Sequence, residues 1–266
     1  MGRIFVTGDK HGDFVSNNGY KIVREFCEKN NTTKDDVMIV LGDHGVHYDG
    51  GWGDHHAKKN LSKYPITFVM IRGNHDQRCK DMWKRKLISE SRMEGWFVED
   101  PEFDNILYTE EFGWYTFAGN HVFTINGAYS VDKWYRLSAA QQGDHRYKWF
   151  SNEQLDASER ERAEKVLFER TKFLETPFYI MSHTCPRIYK PWDQLMLMID
   201  QDRVDETMEF WMDTVLGMIE SKELPLKEWM CGHWHIDRVD GIVRFMFHDI
   251  IELRPAQEDS PDEEET

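Results

Sequence analysis

The chain has 266 residues, 40% hydrophobic and 14% aromatic, with a formal net charge of −15. That length is enough for one large domain or two small ones, and a core of this size needs no disulfide staples. Acidity of this size disfavours contact with long nucleic acid, and no apolar run is long enough to span a bilayer. Taken in chain order, the first element is the apolar run in "RIFVTGDKHG". It stops at a polar cluster and reads as a buried strand. The start, "MGRIFVTGDK", is too short for a signal peptide and enters the strand pattern at once.

"NNGYKIVREFCEKNN" places Ile22, Val23, Phe26 and Cys27 at helical spacing. "DDVMIVLGDHG" reads as a second strand, so residues 3–40 form a strand–helix–strand unit, which favours parallel pairing. "ITFVMIRGNHD" is a third strand. The basic run "QRCKDMWKRK" (77–86) is the one local reversal of the acidic body, and we read it as a solvated helix face. Residues 104–130 read as successive strands with tight turns. A second "GNH" at 119–121 lies between "WYTFA" and "VFTI", where a turn explains it. Helices are expected over 151–175 and 202–222. The Met-rich stripe 195–218, with Met208, Trp211, Met212 and Val215, reads as packed core rather than a partner groove.

"FYIMSHTCP" and "EWMCGHWH" are further strands, and "GIVRFMFHDIIEL" closes the body as one or two more. We see neither a repeat nor a linker and expect one domain over 1–255, then an acidic tail over 256–266. The last ten residues hold six acids and no bases, which predicts a solvated, disordered end and leaves −9 on the body. The four cysteines form no Cys-x-x-Cys pair, which speaks against a zinc knuckle and for a reduced, cytoplasmic, soluble protein.

The chemistry sits at the strand ends. In order these carry Asp9 and His11; Asp43; Asn74, His75 and Asp76; His183; His233 and His235. The carboxyl ends of parallel strands form the usual ligand crevice, so five scattered clusters can converge. Oxygen and imidazole donors without thiolates suit divalent Mn, Fe, Zn, Co or Ni. Asp9 and His11 lie two apart, as do His233 and His235. In an extended segment each pair faces one side, with Trp234 turned the other way as a pocket wall. Glycines before Asp9, Asp43, Asn74 and His233 permit sharp turns and close approach. There are too many donors for one metal, and two metals sharing a carboxylate is the economical arrangement.

The ordered series "GDKHG", "GDHG", "GNHD", "SH" and "GHWH", from residue 8 to residue 235, resembles the calcineurin-like metallophosphoesterase superfamily. The resemblance implies an α/β fold: a sandwich of two mixed β-sheets flanked by helices, with the site at the strand C-terminal ends. It implies two divalent metals, manganese first, with iron, zinc, cobalt, nickel or magnesium as alternatives. Asp9, His11 and His235 would hold one metal and Asn74, His183 and His233 the other, with Asp43 bridging. His75 would be the general acid, with Asp76 orienting its ring. Two metals acidify a bridging water to the attacking hydroxide, and a histidinium can protonate the leaving oxygen.

Substrate contacts are sought in "GAYSVDKWYRLS" (127–138), similar to a signature of bacterial and phage-type members, which would place a phage-encoded chain in the host cytoplasm. Arg136 is the first candidate because a guanidinium grips two phosphate oxygens. Tyr129, Arg187 and Arg72 follow. The Ser/Thr protein phosphatases carry Asp-Arg-Gly after the second motif, whereas "GDHGVHYDGG" has no arginine. A phosphomonoesterase or phosphodiesterase acting on a small, nucleotide-like substrate is the expectation. A nuclease or cyclic-nucleotide phosphodiesterase, a protein phosphatase and a non-catalytic scaffold are the alternatives. The oligomeric state is not legible.

Overall fold

The computed structural model describes residues 2–12, 19–48, 50–79, 83–144, 147–194, 200 and 203–256. Among these, β1 (Ile4–Thr7), α1 (Gly19–Asn30), β2 (Val37–Leu41), α2 (Trp52–Leu61) and β3 (Thr67–Ile71) build the first limb of the sheet. β1, β2 and β3 are parallel, with Ile4 beside Val37 and Val37 beside Thr67. An antiparallel stretch follows: β4 (Arg85–Ser89), β5 (Met93–Glu99), β6 (Ile106–Thr109), β7 (Phe112–Phe117) and β8 (Asn120–Ile125). The second limb takes β8, β9 (Phe178–Ser182) and β10 (Leu226–Cys231) as parallel neighbours. It is edged by β11 (Arg238–Asp240) and β12 (Val243–Phe245), while β13 (Ile250–Glu252) returns to pair antiparallel with β1. The helices α3 (Lys133–Gln141), α4 (Ala157–Thr171) and α5 (Thr207–Ser221) complete the described α-helices, and two short 3-10 turns lie at Arg187–Tyr189 and Trp192–Gln194.

The two sheets of the expected sandwich are two limbs of one thirteen-stranded sheet, twelve strands in a continuous hydrogen-bonded path with β4 beside β5 as a branch. They join where β5 meets β7, through the pairs Met93–Phe117 and Glu94–Thr116. Strand period explains the layers. Val6, Ile39, Leu41 and Val69 face inward, against Val122, Tyr179, Met181 and Met230 of the other limb. Their sequence neighbours Phe5, Met38, Val40 and Phe68 face outward onto Val23, Cys27 and Leu61 of α1 and α2. Ile180, Trp229 and Cys231 face outward from the second limb onto Leu167 of α4 and Met212 and Val215 of α5.

Several boundaries differ from the sequence reading. α4 starts at Ala157, not near 151, because Asp156 and Glu159 form a reciprocal capping box. α5 starts at Thr207, whose N–H donates to Asp205 Oδ1 at 3.0 Å. Met208, Trp211, Met212 and Val215 are core, as expected, while 195–199, 201 and 202 of that stripe lie outside the described residues. The described residues of the basic run do not form a helix face. Arg85 and Lys86 lie on β4, paired to Glu110 and Glu99 at 2.5 and 2.8 Å, and residues 80–82 are outside the described set. The second "GNH" is a hairpin turn, with Ala118 and Gly119 at φ 48° and 80° between Phe117 and Asn120. The four cysteines are free. No helix among the described residues is long and apolar enough to cross a membrane, and the tail 257–266 lies outside them.

Trp229 is fully buried and its indole N–H donates to Ser182 Oγ at 2.7 Å. Trp229→Ala should lower stability by about 3–5 kcal/mol through the cavity it leaves. Urea denaturation measures this, and a loss under about 1 kcal/mol would mean that the outer layer of this limb repacks freely.

Candidate metal centre

The parallel strands β1, β2, β3, β9 and β10 all end at one edge. Beyond those ends, Asp9 and His11, Asp43, Asn74, His183, and His233 with His235 come together from both limbs. The donor atoms of Asp9, His11 and His235 lie within 4.8 Å of one another, as do those of Asp9, Asp43 and His183. His235 Nε2 is 3.2 Å from Asp9 Oδ2 and 2.8 Å from His11 Nε2. His183 Nε2 is 2.9 Å from Asn74 Oδ1 and 3.4 Å from Asp43 Oδ1. The His233 ring packs edge-on to His183, centroids 4.9 Å apart.

Packing this dense explains the glycines. A Cβ on Gly73 would lie 2.0 Å from Asp43 Oδ1, and one on Gly232 would lie 2.1 Å from Asp9 Oδ1. What approaches each glycine is therefore a candidate ligand from another strand end. The backbone is also forced. His11, Asp43, His233 and His235 have φ of 49°, 41°, 70° and 52°, in the left-handed region that non-glycine residues rarely adopt. His233 and His235 thus do not sit in an extended segment facing one side. They face the two different clusters, beside His183 and beside Asp9.

The donors fit divalent cations. Asp9 and Asp43 are each 2% exposed, and Asp9 Oδ2 accepts no hydrogen bond among the described residues. Burial pushes both carboxyls up. His183 for Asp9, and His75 with His183 for Asp43, bring them below the usual carboxylate range. Burial lowers His183, yet Asp43 and Asp9 carry it up to about 9. Its Nδ1 lies 2.8 Å from the Leu41 carbonyl, which can only accept, so Nδ1 holds the hydrogen. Nε2 then faces the oxygens of Asn74 and Asp43, an arrangement that calls for a proton or a cation between them. Burial lowers His233 to about 3, which leaves its imidazole neutral and able to ligate.

The sequence matches the calcineurin-like phosphoesterase family over residues 2–237, a span that holds every candidate ligand. The chain belongs to that family. It is a metal-dependent phosphoric ester hydrolase. Among solved structures, it resembles phosphopantetheinyl hydrolase from Mycobacterium tuberculosis (16% identity, TM-score 0.45), covering 92% of this chain and 88% of that one. It also resembles a protein of unknown function from Aquifex aeolicus (12%, TM-score 0.42; 95% and 96% covered). A third is a candidate 5′-nucleotidase from Staphylococcus aureus (13%, TM-score 0.44; 94% of this chain and 49% of that one). No curated protein matches the chain significantly.

The other predicted site residues of this phosphoesterase divide sharply. His75 lies at the metal centre, its Nε2 3.9 Å from Asp43 Oδ2 and 3.1 Å from Arg136 Nη2. Burial, against the pull of Asp43 and with the push of Arg136, brings its imidazole down to about 4. Arg136 is aimed by Asp132, which takes its Nε–H at 2.8 Å. Asp76 does not orient His75. It is fully buried and accepts N–H bonds from Gly73, His44 and Gly45 at 2.9–3.1 Å, and no hydrogen bond joins it to the His75 ring among the described residues. Arg72 is not a substrate contact either. It is 4% exposed, with Glu111 at 2.6 Å and the Gly73 and Glu153 carbonyls as acceptors. Arg187 pairs with Glu206 at 2.6 Å and lies against Phe210, outside the cavity wall.

Above the centre is a cavity of about 300 Å³. His11, Asp43, Asn74, His75, His233 and His235 line it, with Tyr129, Asp132, Lys190, Glu206, Glu209 and Trp234 among its other lining residues. Tyr129 and Trp234 thus both line the cavity. Lys190, Glu206 and Glu209 were missed: they carry no motif, and an ordinary helix face would show the same letters.

Gly73→Ala should displace Asp43 and weaken Mn binding, read by calorimetric titration. Gly53→Ala on α2, where a Cβ meets nothing within 4 Å, should leave Mn binding unchanged and stabilise the helix by about 0.5–1 kcal/mol. Unaltered Mn affinity in Gly73→Ala would show that the Asp43 approach is not needed.

Proposed function

We propose that the chain hydrolyses esters of small phosphorylated molecules at two divalent cations. Asp9, His11 and His235 hold one, Asn74, His183 and His233 the other, and Asp43 lies between them. The observation that supports this best is the convergence of five strand ends on two buried carboxylates, one of which, Asp43, lines a cavity. Bound cations would polarise the phosphoryl oxygens and supply an acidified water. The chain's own groups do the rest. Arg136, fixed by Asp132, sets Nη2 beside the His75 ring, where it can grip a phosphoryl oxygen. His75 gives the leaving oxygen its proton, and an anionic substrate set against its ring supplies the charge that favours the protonated form. Asp132, Glu206 and Glu209 at the cavity weigh against a threaded polyanion and for a small substrate.

Two experiments test this. The metal-loaded protein should contain two equivalents by elemental analysis and should turn over an aryl phosphate monoester, a diester or both with Mn. No turnover under any divalent cation would sink the reading. His75→Ala should keep both metals and lose about 10²–10⁴ in kcat, more for alkyl than for aryl esters. Equal losses for good and poor leaving groups would remove the acid role.

A further inference from the structure

We propose that Ser130 and Glu153 form a one-way hydrogen-bond relay that decides which end of the Asn74 carboxamide faces the metal centre. Both are then positioning residues for the second cation, a role that rests on the two-cation reading above. A carboxamide has an oxygen and a nitrogen of nearly the same shape, and only the oxygen can ligate a cation. Some neighbour must choose between them.

The choice is made two hydrogen bonds away. Asn74 Nδ2 donates to Ser130 Oγ at 3.0 Å, and Ser130 Oγ donates to Glu153 Oε2 at 2.5 Å. The backbone N–H of Ser130 donates to the other oxygen, Glu153 Oε1, at 3.1 Å. An ionised carboxylate only accepts. The single hydroxyl hydrogen of Ser130 is therefore directed at Glu153, and only lone pairs remain toward Asn74. A carbonyl there would meet lone pairs, whereas an NH₂ finds an acceptor. Oδ1 is left facing His183 Nε2 at 2.9 Å.

The relay is enclosed and held in register. Ser130 and Glu153 are both buried. Burial raises the Glu153 carboxyl above its ordinary value, and the two bonds from Ser130 favour its ionised form. Arg72 Nη1 donates to the Gly73 and Glu153 carbonyls at 3.2 and 2.9 Å, tying the Asn74 loop to the Glu153 segment. Gly127, at φ +87°, packs so closely that a Cβ would lie 2.2 Å from the Glu153 carbonyl oxygen. The buried arginine that does not touch substrate thus holds the two ends of the relay together.

The test is calorimetric Mn titration of the metal-stripped full chain. The unaltered protein should bind two equivalents. Ser130→Ala should keep one at its original affinity and weaken the other about 10–100-fold. In an Asn74→Asp background there is no amide to orient, so adding Ser130→Ala should cost nothing further. Glu153→Gln, which keeps the volume, should weaken the same equivalent and serves if Ser130→Ala fails to fold. Unchanged binding in a folded Ser130→Ala or Glu153→Gln variant would overturn the relay alone. So would an equal loss with and without Asn74→Asp. An unaltered protein that binds fewer than two equivalents would overturn the two-cation reading and the relay with it.

Discussion

Two carboxylates, Asp9 and Asp43, are buried side by side at the meeting point of the two limbs, and the local structure is organised around that fact. An ionised carboxylate out of water is costly unless partners replace its hydration. Asp9 Oδ1 accepts from the His233 N–H at 2.8 Å, and Asp43 Oδ1 from the His75 N–H at 2.9 Å. Four imidazoles then crowd the pair. Backbone dipoles carry no net charge, the His183 proton offsets one of the two negative charges, and Asp9 Oδ2 accepts no hydrogen bond among the described residues. What this end of the molecule calls for is positive charge at a point, which a divalent cation meets with oxygen and imidazole ligands.

Bringing so many donors to one place strains the chain. Of the seven non-glycine residues with positive φ among the described residues, four are candidate ligands. Each such residue costs about 1–3 kcal/mol and persists only where its surroundings over-determine it. Asp76 is one such surrounding. By accepting N–H groups from Gly73, His44 and Gly45, its carboxylate welds the loop after β3 to the loop after β2. That fixes Asp43 against Asn74. The residue has work to do at the centre, but it acts on the backbone and not on the ring next to it in sequence.

The contrast shows what a sequence can disclose. The ligand series was legible because each member follows a short apolar strand, and parallel strands share one carboxyl edge. Position along the chain then becomes position in space. Arg72 and Asp76 sit within the same motif, yet their partners Glu111, Glu153, His44 and Gly45 come from other segments. Only the folded chain reveals that they are structural. Arg187 was drawn toward phosphate by its charge, and Glu206, 19 residues on, claims it. Arg85 and Lys86 of β4 were read as part of a solvated helix face because the start of that strand, at the margin of the sheet, is basic and exposed. Ser130 and Glu153 had no motif at all: a serine and a glutamate 23 residues apart acquire meaning only through the amide between them and the metal centre.

The centre also clasps the limbs. Away from β5 and β7 they meet through apolar contacts of the inner core, which stop at the strand ends. Beyond that point the contacts between limbs are polar. His183 donates to the Leu41 carbonyl at 2.8 Å, the His233 N–H to Asp9, and Arg72 to the Glu153 carbonyl at 2.9 Å. Each candidate cation set draws donors from both limbs: Asp9 and His11 with His235, and Asn74 with His183 and His233. A cation bound there would hold the sandwich closed as well as serve chemistry. Because only the folded chain assembles these donors, metal affinity adds to folding stability in proportion to RT ln(1 + [M]/Kd). The strain stored in the left-handed candidate ligand residues would then be offset by the ion, at the one edge where the apolar core gives out.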